Sequence, residues 1–106
     1  MIRIDYQMLS DASRADVVDA DLVRKAQGFF GRGARQEILR ILDSHLRVQA
    51  VEIAQRQIDP ILLYEVGRRA VLDAIESYHR EGQGDFRKFA DPFIRQAMFN
   101  TKMKRL

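Results

Sequence analysis

The sequence predicts an all-α fold, a compact bundle of about four helices. Three observations carry that expectation. Apolar residues recur at spacings of three and four, while period-two alternation is scarce despite the many valines and isoleucines. Two Asp-Pro pairs, Asp59-Pro60 and Asp91-Pro92, have the chemistry of helix starts: aspartate suits an N-cap, and proline suits the first helical position, where its missing N–H would have no partner. The chain has 106 residues, 46% of them hydrophobic, which is enough for one domain around one core.

Residues 1–15 read either as a loose N-terminal arm or as a short first turn, with the helical domain spanning 16–106. Ser13 can cap a helix through Gln27, in which Val17, Val18, Leu22, Val23 and Ala26 form an apolar stripe and Gly28 provides the end. Gly28-Phe29-Phe30-Gly31-Arg32-Gly33 reads as a flexible connector with two aromatic anchors. A phosphate-cradling loop is not expected there, because no Lys-Ser/Thr follows and no strand precedes it. One helix is expected from Ala34 to about Gln57, with Ile38, Leu39, Leu42, Leu46, Ala50, Ile53 and Ala54 inside. The next runs from Pro60 to about Arg80 along a seam of Leu63, Val66, Ala70, Ala74 and Tyr78, with Gly67 allowing close approach. Glu81-Gly82-Gln83-Gly84 is a loop by composition, and Asp85 can cap the last helix.

Several function classes are excluded early. Without cysteine there is no disulfide, thiolate catalysis or thiolate metal site. His45 and His79 lack a metal-ligand spacing, and no cofactor loop is present. Tyr78-His79 near Asp73 and Glu76 forms no nucleophile–base pair, so no enzyme is expected. No signal-peptide pattern opens the chain, and no apolar run approaches the ~18 residues of a membrane span. A soluble cytoplasmic protein without a membrane partner is the expectation. The net charge of +3 is mild but unevenly spread. Residues 1–21 carry Asp5, Asp11, Asp16, Asp19 and Asp21 against Arg3 and Arg14, whereas residues 94–106 carry Arg95, Lys102, Lys104 and Arg105 and no acid. That asymmetry fits either a nucleic-acid contact or a solvated basic tail.

The segment FRKFADPFIRQAM, residues 86–98, concentrates the functional signal. It reads either as a short turn followed by a new helix from Pro92, or as one helix kinked there. Placed at about 100° per residue, Phe86, Ala90, Phe93, Ile94, Ala97, Met98 and Thr101 gather on a core face. Lys88, Arg95, Phe99 and Lys102 gather opposite, and Phe89 and Gln96 share the border. An aromatic ring among cations suits single-stranded nucleic acid, since cations follow phosphates and the ring stacks a base. The alternative is that Phe99 packs on another helix or in an oligomer interface.

Phe86-x-x-Phe89-Ala90-x-Pro92-x-Ile94-Arg95-x-Ala97 resembles the promoter-recognition helix in conserved region two of bacterial RNA polymerase sigma factors. Primary members read F-x-x-Y-A-x-W-W-I-R-Q-A, and alternative members carry A-x-P-x-I. Upstream, Leu63-Tyr64-Glu65-Val66-Gly67 followed by Ala74-Ile75-x-x-Tyr78 is similar to the family's D-L-x-Q-x-G…A-x-x-x-F. Asp21-Leu22-Val23-x-x-Ala26-Gln27-Gly28 resembles the opening helix of extracytoplasmic-function members, and His45-Leu46-Arg47-Val48 is similar to N-L-R-L-V. Order and loop positions agree over about residues 17–103.

The resemblance implies two surfaces. Ile61, Leu62, Glu65, Arg68 and Leu72 would dock the coiled coil of the RNA polymerase clamp. Phe89 would stack on a flipped adenine of promoter DNA, Gln96 would read the duplex edge just upstream, and Arg95, Lys88 and Lys102 would hold phosphates. Three departures stand out: Pro92 and Phe93 replace the tandem tryptophans, Leu62 replaces the usual acid of the docking motif, and Glu65 replaces its glutamine. The sequence stops where region two stops, so a partner supplying the distal-promoter domain is expected. The alternative is a protein-interaction module of the same fold, a co-sigma, anti-sigma target or decoy, that does not touch the promoter.

Overall fold

The computed structural model describes residues 17–79 and 84–106, and every described regular element is an α-helix. The helices are α1 (Ala20–Gln27), α2 (Arg32–Ile41), α3 (Asp43–Ala54), α4 (Pro60–Ser77) and α5 (Phe86–Arg105). The arm at 1–15, the Ser13 cap and the segment Glu81–Gln83 lie outside the described residues. α4 is the central element: α5 and α3 pack along it, while α1 pairs with α2 and reaches the C-terminal end of α4.

Three helix starts follow the chemistry of their caps. The side chains of Asp19, Asp59 and Asp85 accept from the backbone N–H of Asp21, Ile61 and Arg87 at 3.0, 2.9 and 3.1 Å. Pro60 occupies the first turn of α4 as expected. α1 begins at Ala20, so Val17 lies outside the helix and exposed, while Val18 is buried.

The helix expected over Ala34–Gln57 is two segments. Leu42 stands between them at φ −89° and ψ 2°, though the i→i−4 ladder still passes through it. No glycine or proline marks the break. This is why five helices are found among the described residues where about four were expected. α3 stops at Ala54 because Gln55 and Arg56 adopt left-handed conformations, φ 50° and 61°. α4 stops at Ser77, three residues before the expected Arg80, and Tyr78 turns extended. Gln27 Nε2 donates to the carbonyls of Ile75 and Tyr78 at 2.8 and 2.6 Å, which satisfies acceptors released by that stop.

α5 is one continuous helix with Pro92 inside it. The exposed position of Pro92 turns the bond it cannot make, to the Lys88 carbonyl, toward water, where the loss is small. Along α5 the buried residues are Phe86, Ala90, Ile94, Met98 and Lys102, each four positions after the last. A step of four overshoots a full turn by about 40°, so this buried line winds around the helix.

At the centre, Gly67 of α4 faces α3 and α5. A Cβ there would lie 2.6 Å from Met98 Cε, 3.1 Å from Leu46 Cδ2 and 3.6 Å from Ile94 Cγ2. The buried seam of α4 is Leu63, Gly67, Ala70, Val71, Ala74, Ile75 and Tyr78, whereas Val66 is only half-buried. Replacing Gly67 with leucine forces a four-carbon side chain into this junction. Gly67→Leu is expected to lower stability by about 3 kcal/mol in urea unfolding, whereas leucine at exposed Gly33, with open space around its Cβ position, changes it little.

Candidate nucleic-acid interface

The solvent side of α5 carries Lys88, Pro92, Arg95, Gln96, Phe99 and Met103, all exposed. Each position lies three or four residues from another of the set, so they form one continuous face. Phe99 is 43% exposed, with Arg95 one turn before it and Met103 one turn after. Neither Lys88 nor Arg95 is held by a carboxylate among the described residues. The face therefore offers an open ring, an amide and two unpaired cations.

Two residues expected on this face are placed differently. Lys102 is 5% exposed, and its ammonium donates to the Ile53 carbonyl at 2.7 Å and to Gln55 Oε1 at 2.9 Å. It caps the C-terminus of α3 and is unavailable to a phosphate. The cause is the winding line of burial: Lys102 sits about 160° from Phe86 on a wheel, yet at that end of α5 its side lies against the C-terminus of α3. Phe89 is half-buried in an aromatic row, with ring centroids 5.4 Å from Tyr78, 6.4 Å from Phe86 and 5.2 Å from Phe93. This fits its border place on the wheel, but the ring is packed against neighbours and does not stand free. Its neighbours fix the ring and leave part of it accessible.

A short polar relay pins the N-terminal half of α5 to α3. His45 Nε2 lies 2.7 Å from Asp91 Oδ1, and Arg87 Nη2 lies 3.3 Å from His45 Nδ1. A neutral imidazole protonated at Nε2 satisfies both contacts, donating to Asp91 and accepting from Arg87. Among the described residues no group of three or more His, Asp or Glu side chains is arranged to hold a metal ion.

The second candidate surface lies on α4 and the neighbouring part of α3. Ile61 and Glu65 are exposed, while Leu62, Arg68 and Leu72 are half-buried. Leu72 packs against the core. Beside Ile61 opens a groove of about 380 Å³ lined by Arg47, Ala50, Val51, Pro60, Ile61 and Tyr64. Tyr64 organises its polar edge. Its hydroxyl donates to Asp43, the guanidinium carbons of Arg47 and Arg68 lie 5.2 and 5.8 Å from its ring centroid, and Arg68 Nη1 donates to its hydroxyl at 3.3 Å. Asp43 also accepts from Arg47 Nε at 2.7 Å. The Tyr64 bond, followed by the Arg47 bond and the charges of Arg47 and Arg68, holds the Asp43 carboxyl below the usual aspartate range. Asp43, Arg47 and Tyr64 were not among the sequence-derived site residues. The helical spacing Tyr64–Arg68 and Asp43–Arg47 was the available signal, one turn apart in each case.

Comparison with protein-family models, with curated proteins and with solved structures finds no match for this chain. The two surfaces stand on their own residues.

Two measurements check these placements. Lys102→Met keeps the length of the side chain but strands the Ile53 carbonyl, so it is expected to lower stability by about 2 kcal/mol. Lys104→Met, at an exposed position, is expected to stay within about 0.5 kcal/mol in the same urea titration. Because the folded-state pKa of Asp43 is depressed, its contribution is complete above the ordinary aspartate value of about 3.9 and is lost as pH falls through the folded value. Tyr64→Phe removes the largest cause of the depression, so the variant is expected to lose less stability than the parent between about pH 5 and about pH 2.

Proposed function

We propose that this chain is a sigma-region-two-like transcription protein that docks on the RNA polymerase clamp through the start of α4 and contacts promoter DNA through the solvent face of α5. The observation that carries the reading is the exposure of Phe99 and Gln96 beside the unpaired cations Arg95 and Lys88. Such a face has the parts a single strand needs: a ring for a base, at about 1–3 kcal/mol per stacked base, an amide for a base edge, and cations for phosphates. Lys102 drops out of the phosphate-binding set. Exposed Lys104 and Arg105, in the last turn of α5, extend the basic surface instead. Phe89, held by its aromatic neighbours, would meet a flipped base with a ring already fixed in place. That offsets part of the few kcal/mol that flipping costs.

A second reading has its own observation. Ile61 is 64% exposed and borders the groove that Tyr64 and Arg47 shape, which suits a protein partner without DNA, a co-sigma or an anti-sigma. The two readings separate on the α5 face. Under the first, Phe99→Ala weakens binding of a single-stranded promoter oligonucleotide about tenfold in fluorescence anisotropy. Arg95→Ala weakens it too, and flattens the slope of log affinity against log salt by about 0.7. Retention of polymerase with no salt-dependent DNA binding favours the second reading. Retention of neither polymerase nor a sigma regulator refutes the sigma assignment.

A further inference from the structure

The turn between α1 and α2 carries the two most exposed large apolar side chains among the described residues, Phe29 at 94% and Phe30 at 93%. This turn is held in one shape, unlike the flexible connector expected from composition. Gly31 N–H donates to the Gly28 carbonyl at 3.1 Å, and Arg35 Nη1 donates to the Ala26 carbonyl at 2.9 Å. A Cβ on Gly31 would fall 2.5 Å from the carbonyl oxygens of both Ala26 and Lys25, so only glycine brings the chain this close to the end of α1. With its ends fixed, the turn pushes both rings outward. They meet edge to face at 5.1 Å and are left in water, a surface that calls for a partner.

The charges behind the rings narrow what that partner is. Arg24 and Lys25 end α1 and Arg32 opens α2, and all three are exposed. Only Arg24 meets a carboxylate among these three, Asp21 at 3.7 Å. Two copies meeting turn to turn would bring like charges together, which disfavours self-contact. The groove on α3 and α4 of a second copy has no carboxylate in its lining, so it offers these cations no counter-charge. The cations also flank the rings closely in sequence: Arg24 and Lys25 precede Phe29 by five and four residues, and Arg32 follows Phe30 by two. Interfacial segments sink apolar residues beneath charged headgroups and keep basic residues beside them, which suits this arrangement.

We propose that the Gly28–Gly31 turn is a lipid-contact tip that docks this domain on the surface of an anionic bilayer. Phe29 and Phe30 enter the acyl boundary, and Arg24, Lys25 and Arg32 lie among the headgroups. This contact is peripheral and does not depend on the DNA reading. No helix among the described residues is long and apolar enough to cross a membrane.

The chain has no tryptophan, so Phe30→Trp places a single indole at the tip. Its emission is expected to shift to the blue, with co-sedimentation of the protein, on vesicles of phosphatidylcholine containing roughly one third phosphatidylglycerol. Pure phosphatidylcholine vesicles are expected to give neither signal. Adding Phe29→Ser is expected to lower vesicle affinity about tenfold. Replacing Arg24, Lys25 and Arg32 with glutamate, or raising the salt, is expected to abolish it. Phe99→Ala, on the solvent face of α5, is expected to leave vesicle binding unchanged, which keeps this test separate from the DNA assay. The proposal is overturned by an indole silent on every vesicle or by an equal shift on both compositions. It is also overturned by a shift that grows with protein concentration in the absence of lipid, which assigns the tip to a second copy.

Discussion

The contact at Gly67 sets the spacing of the whole bundle. Met98 and Ile94 from α5 and Leu46 from α3 converge on a residue without a side chain, so α4 touches both neighbours at once. Core side chains interlock at crystal-like density, and a helix brought this near has little freedom to rotate or slide. The direction of the α5 solvent face follows from that. With Phe86, Ala90, Ile94 and Met98 committed to the core, Lys88, Arg95, Gln96 and Phe99 have one direction left to point. The polar clamp of His45 with Asp91 and Arg87 then fixes the N-terminal half of the same helix from its flank.

Much of this was legible in the chain because it depends on neighbours in sequence. Asp59 and Asp85 cap helices by bonding N–H groups two residues away, and such local chemistry can be read without knowing the fold. The core positions Leu63, Ala70, Ala74, Ile94 and Met98 follow from helical spacing alone. The break at Leu42 was hidden because no glycine or proline announces it and the apolar spacing runs on through it. Lys102 was misread because a helical wheel assumes one direction of burial, whereas the buried side of α5 winds around it from Phe86 to Lys102. Phe89 was half legible: its place at the border was visible, but the distant Tyr78 that holds its ring was not.

The two candidate surfaces differ in kind. The α5 face is open and cationic, with rings and amide at its centre, and its worth depends on desolvation by a partner. The Tyr64 cluster is internally satisfied, with one hydroxyl, one carboxylate and two guanidinium groups arranged about a single ring. Charges already paired contribute shape and hydrogen-bond direction more than attraction, so that edge of the groove suits a partner matched in form.

The bond from Lys102 to the Ile53 carbonyl joins positions 49 apart in the chain. As the chain is made, the Val51 and Ala54 carbonyls at the end of α3 find local donors in Gln55 and Gln57, but the Ile53 carbonyl waits for Lys102 in the last turn of α5. The C-terminal end of α3 therefore cannot mature in isolation, and loop-closure entropy must be spent before that contact forms. One bond thus ties the completion of α3 to the final turn of α5.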